Sequence, residues 1–146
     1  MIAKYILEKI ARIPVEVDLA SEFRYRDPII DESVLVLVIS QSGETADTLA
    51  AMREAKRHGV RTLAIVNVVG SSIAREADDV LYTWAGPEIA VATTKGYTSQ
   101  LSALYLLALH FGKIREKISR SDYLEMIQEL KSLPDKIEKM LQDKAL

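Results

Sequence analysis

Apolar residues at Ile2, Tyr5, Ile6, Ile10 and Ile13 recur at helical spacing, which predicts a helix over Met1–Arg12 that Pro14 ends. Val15, Val17 and Leu19 then alternate with Glu16 and Asp18, the period of a short half-buried strand. Ala20–Arg26 is polar, and Pro28 opens a turn. Val34–Ile39 is an unbroken apolar run, mostly β-branched, as expected of a strand buried on both faces of a parallel sheet. Ser40-Gln41-Ser42-Gly43 follows at once. Helical period returns from Glu44 to His58, with Ala46, Leu49, Ala50 and Ala55 as the inner stripe, and Gly59 stands where a left-handed cap would close the helix. The unit then repeats in kind. Leu63–Val66 is a strand, Gly70-Ser71-Ser72 begins a short helix over Ile73–Ala77, and Val80–Thr83 is a third strand. Ala85–Thr94 is a loop containing Pro87, and Lys95–Phe111 is a long apolar helix. Strands alternating with helices predict an α/β domain with a parallel sheet and right-handed crossovers.

The tail reads differently. Ser119-Arg120-Ser121-Asp122 is a helix cap. Tyr123, Met126, Ile127, Leu130 and Leu133 form one apolar face beyond it, and Pro134 is expected to kink or break the helix before Ile137, Met140 and Leu141. The domain is therefore placed at 1–118, with 119–146 as an amphipathic helical linker.

Composition narrows the class of function. With 146 residues, 49% of them hydrophobic, the chain can bury one core. A net charge of -2 gives no electrostatic footprint for duplex nucleic acid. The absence of cysteine excludes disulfides, thiolate metal sites and a cysteine nucleophile, and fits a cytoplasmic setting. Leu101–Phe111 is the most apolar stretch and is too short for a bilayer, which takes about 20 residues. His58 and His110 lie too far apart in sequence to form a metal motif.

In an open parallel sheet, ligands bind beyond the carboxyl ends of the strands. Two polar loops fall there. In the first, Ser40, Ser42 and Thr45 bring hydroxyls to the start of a helix whose first amides lack internal partners, Gln41 stands among them, and Gly43 lets the backbone approach closely. Such a junction can hold a phosphate without lysine or arginine. The competing reading makes Ser42 a plain N-cap, and Glu44 would oppose an anion unless it points away. Neither common nucleotide signature is present. The second loop ends Val91-Ala92-Thr93-Thr94-Lys95. Thr93 or Thr94 would cap the long helix, and the functional reading sets the Val91 backbone and the Thr93 hydroxyl at the other end of a ligand.

The run Ser40-Gln41-Ser42-Gly43-Glu44-Thr45-Ala46-Asp47-Thr48-Leu49 resembles the sugar isomerase (SIS) domains. With Ala20-Ser21-Glu22-Phe23-Arg24-Tyr25-Arg26, Gly70-Ser71-Ser72 and the block from Val91 to Leu101, the resemblance narrows to the first such domain of the glutamine–fructose-6-phosphate aminotransferases. It implies a three-layer α-β-α fold of flavodoxin-like strand order. It also implies that Ser40, Gln41, Ser42 and Thr45 hold the phosphate of fructose 6-phosphate or glucosamine 6-phosphate, and that Val91 and Thr93 meet the sugar. It implies no metal and no organic cofactor, and either a homodimer or packing on a second SIS domain. The family's opening Cys-Gly-Thr-Ser strand, its second sugar domain and its glutaminase domain have no counterpart in these residues, so the chain is expected to be a fragment, inactive alone, lacking a central strand between Val15–Leu19 and Val34–Ile39. A sugar-phosphate-sensing or dimerising SIS module stays open as the non-enzymatic alternative.

Overall fold

The computed structural model describes residues 1–90 and 92–142. Its elements run α1 (Ile2–Ile10), α2 (Ala20–Phe23), β1 (Leu35–Ser40), α3 (Ala46–Arg57), β2 (Arg61–Val66), α4 (Ser72–Glu76), β3 (Asp79–Tyr82), α5 (Lys95–Ile114) and α6 (Arg120–Gln142). Three parallel strands, in the order β1-β2-β3, are flanked by helices in an α/β arrangement. The chain divides into two compact units, Glu16–Ala103 and Met1–Val15 with Leu104–Leu146.

The larger unit holds the sheet. Strand side chains alternate between faces, and Val36, Val38, Ala64, Val66, Val80 and Tyr82 lie on one of them. These pack with Leu49 and Met52 of α3 and with Ile73, Ala74 and Ala77 from α4 and its end. Burying Met52, Ile73 and Val66 completely removes most of their apolar surface from water, at about 25 cal/mol per Å². β2, between its two neighbours, carries the buried run Ala64, Ile65 and Val66. Gly59, at φ +72, ends α3. The amide of Val60 donates to the Ala55 carbonyl at 3.2 Å and that of Gly59 to Lys56 at 3.0 Å, the paired bonds of a left-handed cap.

Beyond the amino end of the sheet, Asp78 accepts from the amide and the hydroxyl of Thr62 at 2.8 and 2.7 Å and pairs with Lys56 at 2.7 Å. The Lys56 ammonium, followed by the Thr62 hydroxyl and amide, pulls the Asp78 carboxyl down to about 2.

In the smaller unit, Ile6 and Leu7 of α1 pack with Ala108 of α5, and Ile10, Val15 and Phe111 surround them. Arg115 Nε closes the pair by donating to the Ala11 carbonyl at 3.1 Å. α6 begins at a true cap, with the Asp122 amide donating to Ser119 Oγ at 3.1 Å.

Three expectations are corrected. Val15–Leu19 is not a strand: its alternation is genuine, but among the described residues no strand lies beside it to exchange backbone hydrogen bonds, and a ladder needs two partners. β1 is not buried on both faces. It is an edge strand, so Leu35 and Ile39 stay 41% and 38% exposed, and β2 is the strand that carries the deepest burial. α6 is one continuous helix across Pro134 and is not broken there. The proline removes one donor, but the helix is exposed there, so water can satisfy the freed carbonyl of Leu130.

Candidate functional site

All the described candidate residues fall in the larger unit, at the carboxyl ends of the strands. β1 ends at Ser40, level with Val66 of β2, and the Asn67 amide adds one more bond to the Gln41 carbonyl at 3.1 Å. The chain must then turn within five residues into α3. Gly43 makes this possible at φ +68. Its amide donates to Ser40 Oγ at 3.0 Å, and its carbonyl accepts from the Ile73 amide of α4 at 3.0 Å. A side chain on Gly43 would overlap the Ser71 hydroxyl and stand 2.5 Å from Ser71 Cβ. The loop is thus pressed onto the start of α4 with no space between them.

Ser40 Oγ is buried and turned inward, 3.2 Å from Thr45 Oγ1. Ser42 is not the helix cap. Its hydroxyl accepts from the Glu44 amide at 3.2 Å, a local turn, and the capping position belongs to Thr45. Thr45 makes no side-chain cap bond, so the first-turn amides of α3 are left without a side-chain acceptor and keep the partial positive charge of a helix start.

Two carboxylates could spoil this field, and both are tied elsewhere. Glu44 Oε1 accepts from the Ser72 amide at 2.7 Å, and the Ser72 hydroxyl and amide hold its carboxyl below the ordinary range. Glu44 therefore caps α4, so its charge is directed at that helix start rather than left free at the turn. Asp47, in the first turn of α3, is paired with Arg24 at 3.0 Å. Arg24, from the Ser-Glu-Phe-Arg-Tyr-Arg block, thereby offsets a negative charge at the helix start.

The second loop comes to the first at Gly96. A Cβ there would overlap Thr93 Oγ1 and lie 3.3 Å from Gln41 Cγ, so the Gln41 and Thr93 side chains flank the same small residue. Thr93 does not cap α5. Its hydroxyl donates to Glu88 Oε2 at 2.7 Å, and that same oxygen takes the Gly96 amide at 3.4 Å. A carboxylate serves this helix start better than a threonine hydroxyl, because it carries full negative charge. Bonds from the Thr93 hydroxyl first, and then from the amides of Ala90 and Gly96, draw the Glu88 carboxyl below its usual range, so it is ionised at neutral pH. Val91, expected to meet the sugar through its backbone, lies outside the described residues.

Asn67 holds the second loop to the sheet. Its Oδ1 accepts from Thr83 Oγ1 at 3.0 Å and from the Ala85 amide at 2.8 Å, while Nδ2 donates to the Gly86 carbonyl at 2.8 Å. Between Thr83 and Ala85, Trp84 sits at φ +53, a costly conformation for a bulky residue that these bonds enforce. Asn67 and Glu88 escape the sequence reading. A signal was available for Asn67, a polar residue one step past a buried strand at the ligand end of the sheet.

A cavity of about 380 Å³ lies elsewhere, lined by Arg24, Tyr25, Ala50, Arg53, Glu54 and Arg57. Its cations are neutralised: Arg53 grips Glu76 at 2.7 and 2.5 Å, Arg57 pairs with Glu54 at 2.7 Å, and Arg24 holds Asp47. Among the described residues no group of His, Cys, Asp or Glu could hold a metal ion, and no helix is long and apolar enough to cross a membrane.

The parallel sheet, the hydroxyl-lined turn into α3 and the second loop at Gly96 define a class, and residues 1–110 match the family model for the SIS domain. The chain belongs to the SIS domain family. It is 63% identical over 99% of its length to the glutamine–fructose-6-phosphate aminotransferase (isomerizing) of Caldanaerobacter subterraneus, covering 24% of that protein. It is 50% identical over 98% of its length to the enzyme of the same name from Thermus thermophilus, covering 24% of it. The chain thus spans about a quarter of the length of these curated relatives. Among solved structures, the C-terminal domain of glucosamine-fructose-6-phosphate aminotransferase from Francisella tularensis superposes with a TM-score of 0.86 at 43% identity, over 89% of this chain and 37% of that one. Glucosamine-6-phosphate deaminase from Thermotoga maritima gives 0.72 at 26% identity, over 90% and 39%.

Proposed function

We propose that this chain is the fructose-6-phosphate-binding part of the isomerase domain of a glucosamine-6-phosphate synthase, the enzyme that makes glucosamine 6-phosphate and glutamate from fructose 6-phosphate and glutamine. The phosphate sits at the Ser40–Thr45 turn, against Gln41, the hydroxyls of Ser42 and Thr45 and the uncapped first amides of α3. Ser40 acts from beneath, shaping the turn. Val91 and Thr93 meet the sugar end. The observation that carries this reading is the start of α3: its amides have no side-chain cap, and both nearby carboxylates are engaged by other groups.

Hydroxyls and amides bind an anion; they do not move the protons that isomerisation requires. The contribution assigned to this chain is therefore binding, with residues 1–118 as the SIS domain and 119–146 as a linker. α6 exposes Met126, Leu133, Ile137, Met140 and Leu141, an apolar face suited to a second SIS domain, in another copy or in a longer protein. Titration calorimetry with fructose 6-phosphate tests the assignment. Saturable binding that weakens about tenfold in Ser42→Ala, through loss of one hydrogen bond to a charged group, supports it. No heat at millimolar ligand refutes it.

A further inference from the structure

Glu88 lies outside every motif considered above, yet it organises the side of the site away from the phosphate turn. Its half-buried carboxylate is an acceptor only, and Oε2 takes the Thr93 hydroxyl proton at 2.7 Å. A hydroxyl has one proton to give. With that proton committed to Glu88, Thr93 Oγ1 has only lone pairs for any other partner. The Gly96 amide on the same oxygen, and the closeness of Thr93 and Gln41 to Gly96, hold this arrangement beside the phosphate turn.

We propose that Glu88 is a positioning residue that fixes the direction of the Thr93 hydrogen bond, so that Thr93 accepts from a hydroxyl on the non-phosphate end of a sugar phosphate. The proposal rests on the sugar-phosphate reading and adds polarity to it. One end of the site donates to an anion, and the other accepts from an alcohol. A phosphate group, which offers acceptors, meets lone pairs at Thr93 and is directed to the α3 end, so the ligand has one orientation.

The test is a double-mutant cycle on the full chain by calorimetry, with fructose 6-phosphate and inorganic phosphate as the two probes. Glu88→Ala should weaken fructose 6-phosphate about tenfold and change inorganic phosphate less than about twofold. Glu88→Gln, which keeps an acceptor but also offers a donor, should fall between wild type and Glu88→Ala. In a Thr93→Val background, Glu88→Ala should have no further effect. Circular dichroism confirms folding, and if Glu88→Ala is unfolded the cycle is read with Glu88→Gln. Unchanged fructose 6-phosphate affinity, an equal loss for both probes, or a full loss in the Thr93→Val background overturns the proposal while leaving the sugar-phosphate reading intact. Failure of the wild-type chain to bind fructose 6-phosphate defeats that reading and this proposal together.

Discussion

The Ser40–Thr45 turn and the Gly86–Lys95 loop meet at Gly96, but they are held in place by different means. The first is braced mainly by close packing around Gly43: its amide donates to the Ser40 hydroxyl three residues back, its carbonyl accepts from the Ile73 amide, and no void separates it from Ser71. The second depends on side chains. Asn67 reaches it from the end of β2, Trp84 is strained under that grip, and the Glu88 carboxylate gathers Thr93 and Gly96. A turn fixed by close packing should fail abruptly when its volume changes. A loop fixed by hydrogen bonds should loosen in steps, while the turn beside it survives.

The sharpest way to break this contrast is Gly43→Ala. The left-handed backbone and the overlap with Ser71 together should cost about 3 kcal/mol, read as a lower midpoint in urea, with phosphate binding lost. Ser71→Gly in the same chain removes the overlap but not the backbone strain, so it should restore about half of the loss. Asn67→Ala comes next. It strands the Ala85 amide, the Gly86 carbonyl and the Thr83 hydroxyl, and should cost about 2 kcal/mol, with faster amide exchange confined to Thr83–Gly96. Ser40→Ala removes the acceptor for the Gly43 amide, at about 1–2 kcal/mol, and should weaken inorganic phosphate as well as fructose 6-phosphate, which distinguishes it from changes at Glu88. Thr93→Ser keeps the hydroxyl and should alter affinity less than about twofold, since only the packing of one methyl changes.

Acid provides a control at the opposite end of the sheet. The Asp78 carboxyl falls from 3.8 to about 2 on folding, so its contribution is complete above pH 3.8 and is lost as pH drops through about 2. Asp78→Asn should flatten the stability profile in that interval and leave both loops unaffected, as followed by denaturant melts at pH 2 to 5.

What the sequence disclosed follows the same division. β1, β2 and β3, the left-handed end of α3 at Gly59 and the turn at Gly43 are set by local period and by glycine, so they could be read directly. The alternation of Val15–Leu19 was equally clear, but pairing is a property of two segments, and nothing in one segment's pattern reports its partner. The exposure of Leu35 and Ile39 is not written in the apolar run of β1 itself; it fits the expectation, from the resemblance, of a central strand missing beside β1. In the site, Ser42 and Thr45 announced themselves as hydroxyls at a helix start, yet only coordinates could assign the cap to Thr45 and turn Ser40 inward. Glu88 and Asn67 act across distances of 5 and 19 residues through side-chain geometry, which periodicity does not encode.

The central claim is that the turn into α3 receives the phosphate. Amide-resolved NMR of the labelled chain, titrated with fructose 6-phosphate, tests it most directly. Saturable shifts should centre on Gln41–Thr48, with a second set at Thr93 and Gly96. Shifts gathered instead around Arg24, Arg53 and Arg57, with the turn unmoved, would contradict the account and move the anion to the arginine-lined cavity beside α2.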